Sequence, residues 1–505
     1  MNLLSKAILS ATAALALTAT SCQSAKFTGD TLRMDMNAYT EGTVSYKGSE
    51  IAYRAYEGIV YVASPVDTDY QTMNIYIPSA YFEGGEVNGY TAKTAPIFFP
   101  NTVGGYMPGK AGTLAPGMGG SESASVAALA NGLVVASPGA RGRTTQNASG
   151  IFTGKAPACI VDLKAAVRYL RHNKDLLPGD TEKIISNGTS AGGSLSALLA
   201  ASGNSKDYEP YLKAIGAASE RDDIFSASVY CPITNLENAN AAYEWQFENH
   251  NDYQKMDITM LDYHVERKLT KGSLTEEEIA LSHELAKQFP EYVNSLALSV
   301  PKNNTKLTEN DSKTGELNSL IMNYIEDSLK NKIAELEKDG TADSAKKKAE
   351  LLARPYIKTD SNGKISIDQF AFMEYIGRQK LPGAFDSLNA NTGENSLFGD
   401  ETTDFKHFTE YALKNSKTNA PMADSKIVKL MNAMNYLGNA QSARYWRIRH
   451  GTSDRDTAFA IPVLLALSAE QKAGATVDFY MPWDVPHSGD YDLEELFAWV
   501  NTICK

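Results

Sequence analysis

From Pro96 onward, uninterrupted apolar runs alternate with stretches of helical spacing, and this rhythm constrains the chain more than any other feature of its sequence. Ile97-Phe98-Phe99, Leu133-Val134-Val135-Ala136 and Ile184-Ile185 contain no polar residue, as is typical of strands covered on both faces. Between the last two, Cys159 to His172 carries Ile160, Leu163, Val167 and Leu170 at helical spacing. The pattern predicts a βαβ succession and hence a mostly parallel sheet flanked by helices. Upstream, Ile59-Val60-Tyr61-Val62 and Met73-Asn74-Ile75-Tyr76-Ile77 read as short antiparallel strands that open the sheet.

The rhythm stops after Val229-Tyr230 and resumes at Tyr445-Trp446-Arg447-Ile448, with a helix from Ala458 to Lys472, a strand Val477 to Tyr480 and a closing helix Leu493 to Val500. The expected organisation is therefore a first part of an α/β domain over residues 27–234, an insertion over 235–440 and the second part over 441–505. The insertion is polar and mainly helical. Thr275 with Glu278 makes a capping box, and Leu317, Ile321, Ile325, Leu329 and Ile333 form one helical stripe. Asp360, Asn362 and Gly363 echo a calcium loop, but Lys358 and Gln369 occupy ligand positions. A hairpin turn at Asn362-Gly363 is the better reading.

Residues 1–26 hold Lys6, an apolar run from Ala7 to Ala19, then Ser21 and Cys22. About 13 apolar residues fall short of the ~20 that span a bilayer, so this reads as an export signal. Ala19-Thr20-Ser21-Cys22 resembles a bacterial lipobox, in which Cys22 would carry lipid and supply the only membrane attachment. The alternative is an ordinary signal peptide with a chance cysteine. Only Cys159, Cys231 and Cys504 follow, too few for a disulfide scaffold. No CxxC or HxxxH spacing argues for a metal, and no cofactor is expected. The net charge of −12 makes nucleic acid a poor partner.

Gly188-Thr189-Ser190-Ala191-Gly192 is a GxSxG placed between a strand reading (Lys183 to Asn187) and a helix reading (Leu195, Leu198, Leu199). That setting exposes a serine hydroxyl at the carboxyl end of a sheet. The bland alternative is a glycine-rich turn with an idle serine. A serine nucleophile needs a base, and His487 and His450 are the two histidines that follow late strands. His487 is preferred because α/β-hydrolases place the base after the last strand, in the order Ser, acid, His. The acid is then Asp454 or Asp456, which spacing alone does not separate; Asp456 could equally cap the next helix. Ala191, with Gly104 or Gly105 in the loop after Ile97-Phe98-Phe99, would supply the oxyanion N–H groups.

Together, Gly188 to Gly193, the stretch His-Gly-Thr-Ser-Asp-Arg-Asp-Thr from His450, and Pro-Trp-Asp-Val-Pro-His-Ser-Gly-Asp-Tyr from Pro482 resemble the bacterial tannases, esterases that release gallate from galloyl esters. The similarity runs from Tyr46 to the C terminus. It implies an α/β-hydrolase fold with a large, mainly helical lid insertion, and an aromatic ester as the small-molecule partner. It also implies Asp454 as the triad acid, and Lys380, Glu394 and Asp456 as ligands of the galloyl hydroxyls. An ammonium and two carboxylates can hydrogen-bond three adjacent phenols. Read without the resemblance, Lys380 and Glu394 are surface charges. Thr189 and Ser488 stand where the fungal tannases carry cysteines, so no disulfide is expected between these loops. The rival readings are a feruloyl or other cinnamoyl esterase and, from another class, a non-catalytic surface lipoprotein that binds polyphenols or glycans.

Overall fold

Nine strands form one sheet in the computed structural model, which describes residues 30–116, 122–261, 264–301 and 303–505. Numbered along the chain, they are β1 (Thr40–Tyr46), β2 (Ser49–Val60), β3 (Thr72–Pro78), β4 (Pro96–Pro100), β5 (Val134–Pro138), β6 (Asp180–Thr189), β7 (Ser226–Tyr230), β8 (Tyr445–Arg449) and β9 (Thr476–Tyr480). Their spatial order is β1-β2-β3-β5-β4-β6-β7-β8-β9. The first three strands and the β3–β5 pair are antiparallel, and every pairing from β5 through β9 is parallel. This is the α/β-hydrolase fold. Residues Leu32–Lys505 make one compact unit.

The apolar runs behave as their composition requires. Successive strand residues point to opposite faces, yet Ile97, Phe98 and Phe99 are all buried, as are Val134, Val135, Ile184, Ile185, Val229 and Ile448. Both faces of the parallel half are therefore covered. The helix Ala158–His172 packs on the helix Ala191–Ala201, while Phe497 of the last helix, Leu493–Cys504, meets Phe98 with ring centroids 5.5 Å apart.

Among the described residues between Tyr230 and Tyr445, no strand joins this sheet. The capping box at Thr275 and Glu278 forms, and the stripe from Leu317 to Ile333 lies buried on the helix Glu316–Asp339. Asn362-Gly363 closes the hairpin of Ile357–Thr359 with Ile365–Ile367, where Asp360 Oδ1 accepts the N–H groups of Asn362 and Lys364. Cys22 and the export signal lie outside the described residues. Among the described residues no helix is long and apolar enough to cross a membrane.

Candidate active site

Ser190 stands alone between the end of β6 and the helix Ala191–Ala201, with φ 61° and ψ −124°. A non-glycine residue there costs roughly 1–3 kcal/mol and persists only when its surroundings hold it. Here its N–H donates to Tyr230 O at 3.0 Å, and its carbonyl accepts from Ser194 N at 3.0 Å and Ile233 N at 3.2 Å. The flanking residues must be small. A Cβ on Gly188 would fall 2.3 Å from Gly192 O, and one on Gly192 would fall 2.7 Å from Val103 O. The half-buried Ser190 is thus delivered to the carboxyl edge of the sheet, where α/β folds place their ligands.

The loop after β4 is tied to this turn by Asn101, whose Nδ2 donates to Asn187 O and Gly192 O at 3.2 and 3.1 Å. Gly104 and Gly105 are exposed at its tip. Within the described protein the backbone N–H groups of Ala191, Gly104 and Gly105 donate to no acceptor. Arg143, which sequence reasoning missed, anchors the tip by donating from Nε to Gly105 O at 2.9 Å.

The loop after β9 packs on the same turn. A Cβ on Gly489 would lie 1.9 Å from Thr189 Oγ1, and Asn187 Nδ2 donates to Asp490 Oδ1 at 3.0 Å. Within this loop His487 Nδ1 lies 2.8 Å from Asp454 Oδ2. Asp454 is fully buried, and its other oxygen accepts the Asp456 N–H at 2.8 Å. Burial would raise the Asp454 pKa, but the imidazoles of His450 and His487 outweigh it and hold the carboxylate below its ordinary range. For His487 burial works in the opposite sense, and the neighbouring Asp454 charge overcomes it, so the imidazole pKa is raised.

The alternatives left open by spacing differ in their surroundings. Asp456 Oδ2 is 3.8 Å from His487 Nδ1, against 2.8 Å for Asp454. Nor does Asp456 cap a helix: that helix starts at Ala460 with Phe459 at its N-cap and no side-chain cap. His450 is buried, with neither ring nitrogen hydrogen-bonded. Its edge meets the Phe459 ring. The structure instead puts Cys231 beside the candidate base, with Sγ 3.9 Å from His487 Nε2. The only sequence signal for it was its place directly after β7, the strand next to the one bearing Ser190.

Lys380, Glu394 and Asp456 gather beside this pair. Lys380 Nζ is 3.3 Å from Asp456 Oδ1, which also accepts from Gln379 Nε2 at 3.0 Å. Glu394 is in electrostatic reach of both. Burial pushes its carboxyl pKa up, and Lys380 and Arg143 oppose the rise. Two buried groups hold the segments that carry these residues. Arg378 pairs with Glu244 at 2.6 Å and donates to His250 O at 3.0 Å, both side chains being nearly inaccessible. Asp386 accepts from His407 Nδ1, Asn395 Nδ2 and the N–H groups of Phe408 and Thr409 at 2.7–2.8 Å. Truncating Arg378 to Ala would strand the Glu244 charge in the interior. Such a loss costs about 3–5 kcal/mol, so chemical denaturation of Arg378→Ala should show a destabilisation of that size, and an unchanged midpoint would contradict the assignment.

Among the described residues Cys159, Cys231 and Cys504 are free thiols, with no disulfide between the Thr189 and Ser488 loops.

The BD-FAE family model, an α/β-hydrolase esterase family, matches residues 113–273. The solved tannase of Fusobacterium nucleatum is 46% identical, with a TM-score of 0.86, covering 94% of this chain and 99% of that one. A tannin acyl hydrolase solved in complex with ethyl gallate is 42% identical, with a TM-score of 0.85 and coverage of 94% and 99%. The tannase of Lactobacillus plantarum is 41% identical, with a TM-score of 0.87 and coverage of 94% and 100%. No curated protein sequence matches the chain.

Proposed function

Because the chain belongs to the bacterial tannase family of α/β-hydrolases and is a carboxylic ester hydrolase, we propose that it cleaves galloyl esters through Ser190, His487 and Asp454. Ser190 Oγ attacks the ester carbonyl while His487 Nε2 takes its proton. Asp454 keeps the imidazole oriented through Nδ1 and stabilises the cation that forms. The N–H of Ala191 and that of Gly104 or Gly105 hold the oxyanion. His487 returns the proton to the departing alcohol, then draws one from a water that cleaves the galloyl-enzyme.

The observation that carries the substrate assignment is the Lys380, Asp456 and Glu394 cluster beside His487. One cation donor and two carboxylate acceptors match three adjacent phenolic hydroxyls, and a site built for such groups rejects a ring that lacks them. Support also comes from solved tannin acyl hydrolase structures in complex with ethyl gallate and with 3,4-dihydroxybenzoate.

The test is release of gallic acid from methyl gallate, with methyl benzoate and methyl ferulate alongside. Lys380→Met removes one charge-assisted hydrogen bond, about 1.5–3 kcal/mol. We expect kcat/KM for methyl gallate to fall roughly 10- to 100-fold, since each 1.4 kcal/mol is a factor of ten. Methyl benzoate turnover should stay within a few-fold. Equal losses on both esters, or turnover of methyl ferulate with none of methyl gallate, would overturn the galloyl reading. Saturable polyphenol binding without any ester turnover would favour the non-catalytic binder.

The same proposal places the enzyme outside the cytoplasm, tethered through Cys22. Mass spectrometry of the mature N terminus should find a lipid adduct on Cys22; an unmodified chain processed elsewhere would leave export without the tether.

A further inference from the structure

We propose that Cys231 Sγ and His487 Nε2 form an inhibitory binding site for a soft divalent cation such as Zn2+ or Cd2+. Cys231 follows β7 directly, at φ 35°, and its N–H donates to Arg449 O at 2.7 Å across to β8. This left-handed placement turns the buried thiol toward the His487 loop, with Sγ 3.4 Å from Ser488 O and 3.9 Å from His487 Nε2.

The state of the imidazole follows from its other nitrogen. Nδ1 sits 2.8 Å from the Asp454 carboxylate, which fixes the neutral ring as the tautomer with its proton on Nδ1. In that neutral ring the Nε2 lone pair faces a sulfur at a distance too long for a strong hydrogen bond. It is close to what a bridging ion needs: bonds of about 2.3 Å to sulfur and 2.0–2.1 Å to nitrogen at a tetrahedral centre separate the two ligands by about 3.6 Å. One ligand atom each from Cys231, Asp454 and His487 lies within 4.8 Å of the others, so the Asp454 charge sits behind the site and offsets that of the ion.

Binding exchanges a proton for the metal. The Cys231 S–H bond breaks, an S–metal bond forms, the proton leaves to solvent, and Nε2 donates its lone pair. Thiolate and imidazole ligands select Zn2+ and Cd2+ over Mg2+ and Ca2+, which require oxygen. Occupancy removes the lone pair that would accept the Ser190 proton. That effect on rate rests on the proposed role of His487, whereas the binding itself does not.

The two are separated by measuring both. Calorimetric titration of Ser190→Ala with Zn2+, and ultraviolet thiolate-to-Cd2+ charge-transfer absorption, report binding without turnover. One equivalent should bind, and the signal should be lost in Cys231→Ser and in His487→Ala but kept in Cys159→Ser and Cys504→Ser. In turnover of methyl gallate, Zn2+ should inhibit the wild type where equal Mg2+ does not. Its half-inhibiting concentration should rise at least about tenfold in Cys231→Ser, measured against that variant's own uninhibited rate. Should Cys231→Ser unfold, as circular dichroism would reveal, Cys231→Ala serves the same comparison. Equal inhibition of wild type and both Cys231 variants, or a Cd2+ band that survives in them, overturns the site. Cys231-dependent binding with undiminished turnover would uphold the binding, overturn its inhibitory effect and overturn His487 as the base.

Discussion

Ser190→Ala is expected to lower kcat on methyl gallate by about 10⁶-fold, because a nucleophile and its base act as one unit whose loss leaves only oxyanion stabilisation and binding. His487→Ala should cost about the same, and the double variant little more. The reason lies in the site's construction. Ser190 is held in a conformation disfavoured for any residue but glycine by three backbone hydrogen bonds, and the hydroxyl is the one reactive atom that this turn presents. Removing Oγ leaves the turn, the Lys380 cluster and the unpaired N–H groups in place. Gallate affinity of Ser190→Ala should therefore match that of the wild type by calorimetry. A residual rate above about one hundredth of wild type would mean that another group performs the attack.

Asp454→Asn carries the second largest expectation, a fall of about 10⁴-fold in kcat. The mutated oxygen faces Nδ1 at 2.8 Å, and an amide there can present its NH2 group to that nitrogen. The proton then moves to Nε2, which can no longer act as base. The pH profile distinguishes this from loss of fold. In the wild type the Asp454 charge raises the His487 pKa against burial, so with His487 as the proposed base, activity should fall as pH drops through that raised value. Without the charge, burial dominates and the pKa falls. The acid limb of kcat/KM should move to lower pH while the plateau drops. An acid limb that stays put would show that Asp454 does not set the imidazole's charge, and Asp456 would become the acid to test.

Much of this was legible along the chain, and the reasons differ from element to element. Ile97-Phe98-Phe99 and Ile184-Ile185 had to be strands buried on both faces, since nothing in them tolerates water. The GxSxG was readable because the turn admits only small residues at Gly188 and Gly192, where any Cβ would strike backbone. The helix limits were less legible: Ala458 and Phe459 carry helical composition, but the helix starts only at Ala460, and the Phe459 N–H donates to the distant Gln246 Oε1.

The choice between Asp454 and Asp456 was another matter. Two carboxylates two residues apart in a loop have the same local chemistry, and only burial against the His487 loop separates them. Lys380 and Glu394 are likewise charges in polar surroundings when read in order. They come near each other because buried groups hold the segments that carry them, Arg378 through Glu244 and Asp386 through Asn395 and His407. Cys231 had no signal beyond its position after a strand.

The sequence by itself determined the layered sheet, the turn that exposes Ser190 and the identity of the residues available for proton transfer, because these depend on period, side-chain volume and chemistry within a few neighbours. Which carboxylate meets which imidazole, which thiol faces it and which charges gather beside them were decided only by the tertiary structure. Those are distances between segments far apart in the chain, and burial, which changes both pKa and hydrogen-bond partners, exists only once the segments have packed.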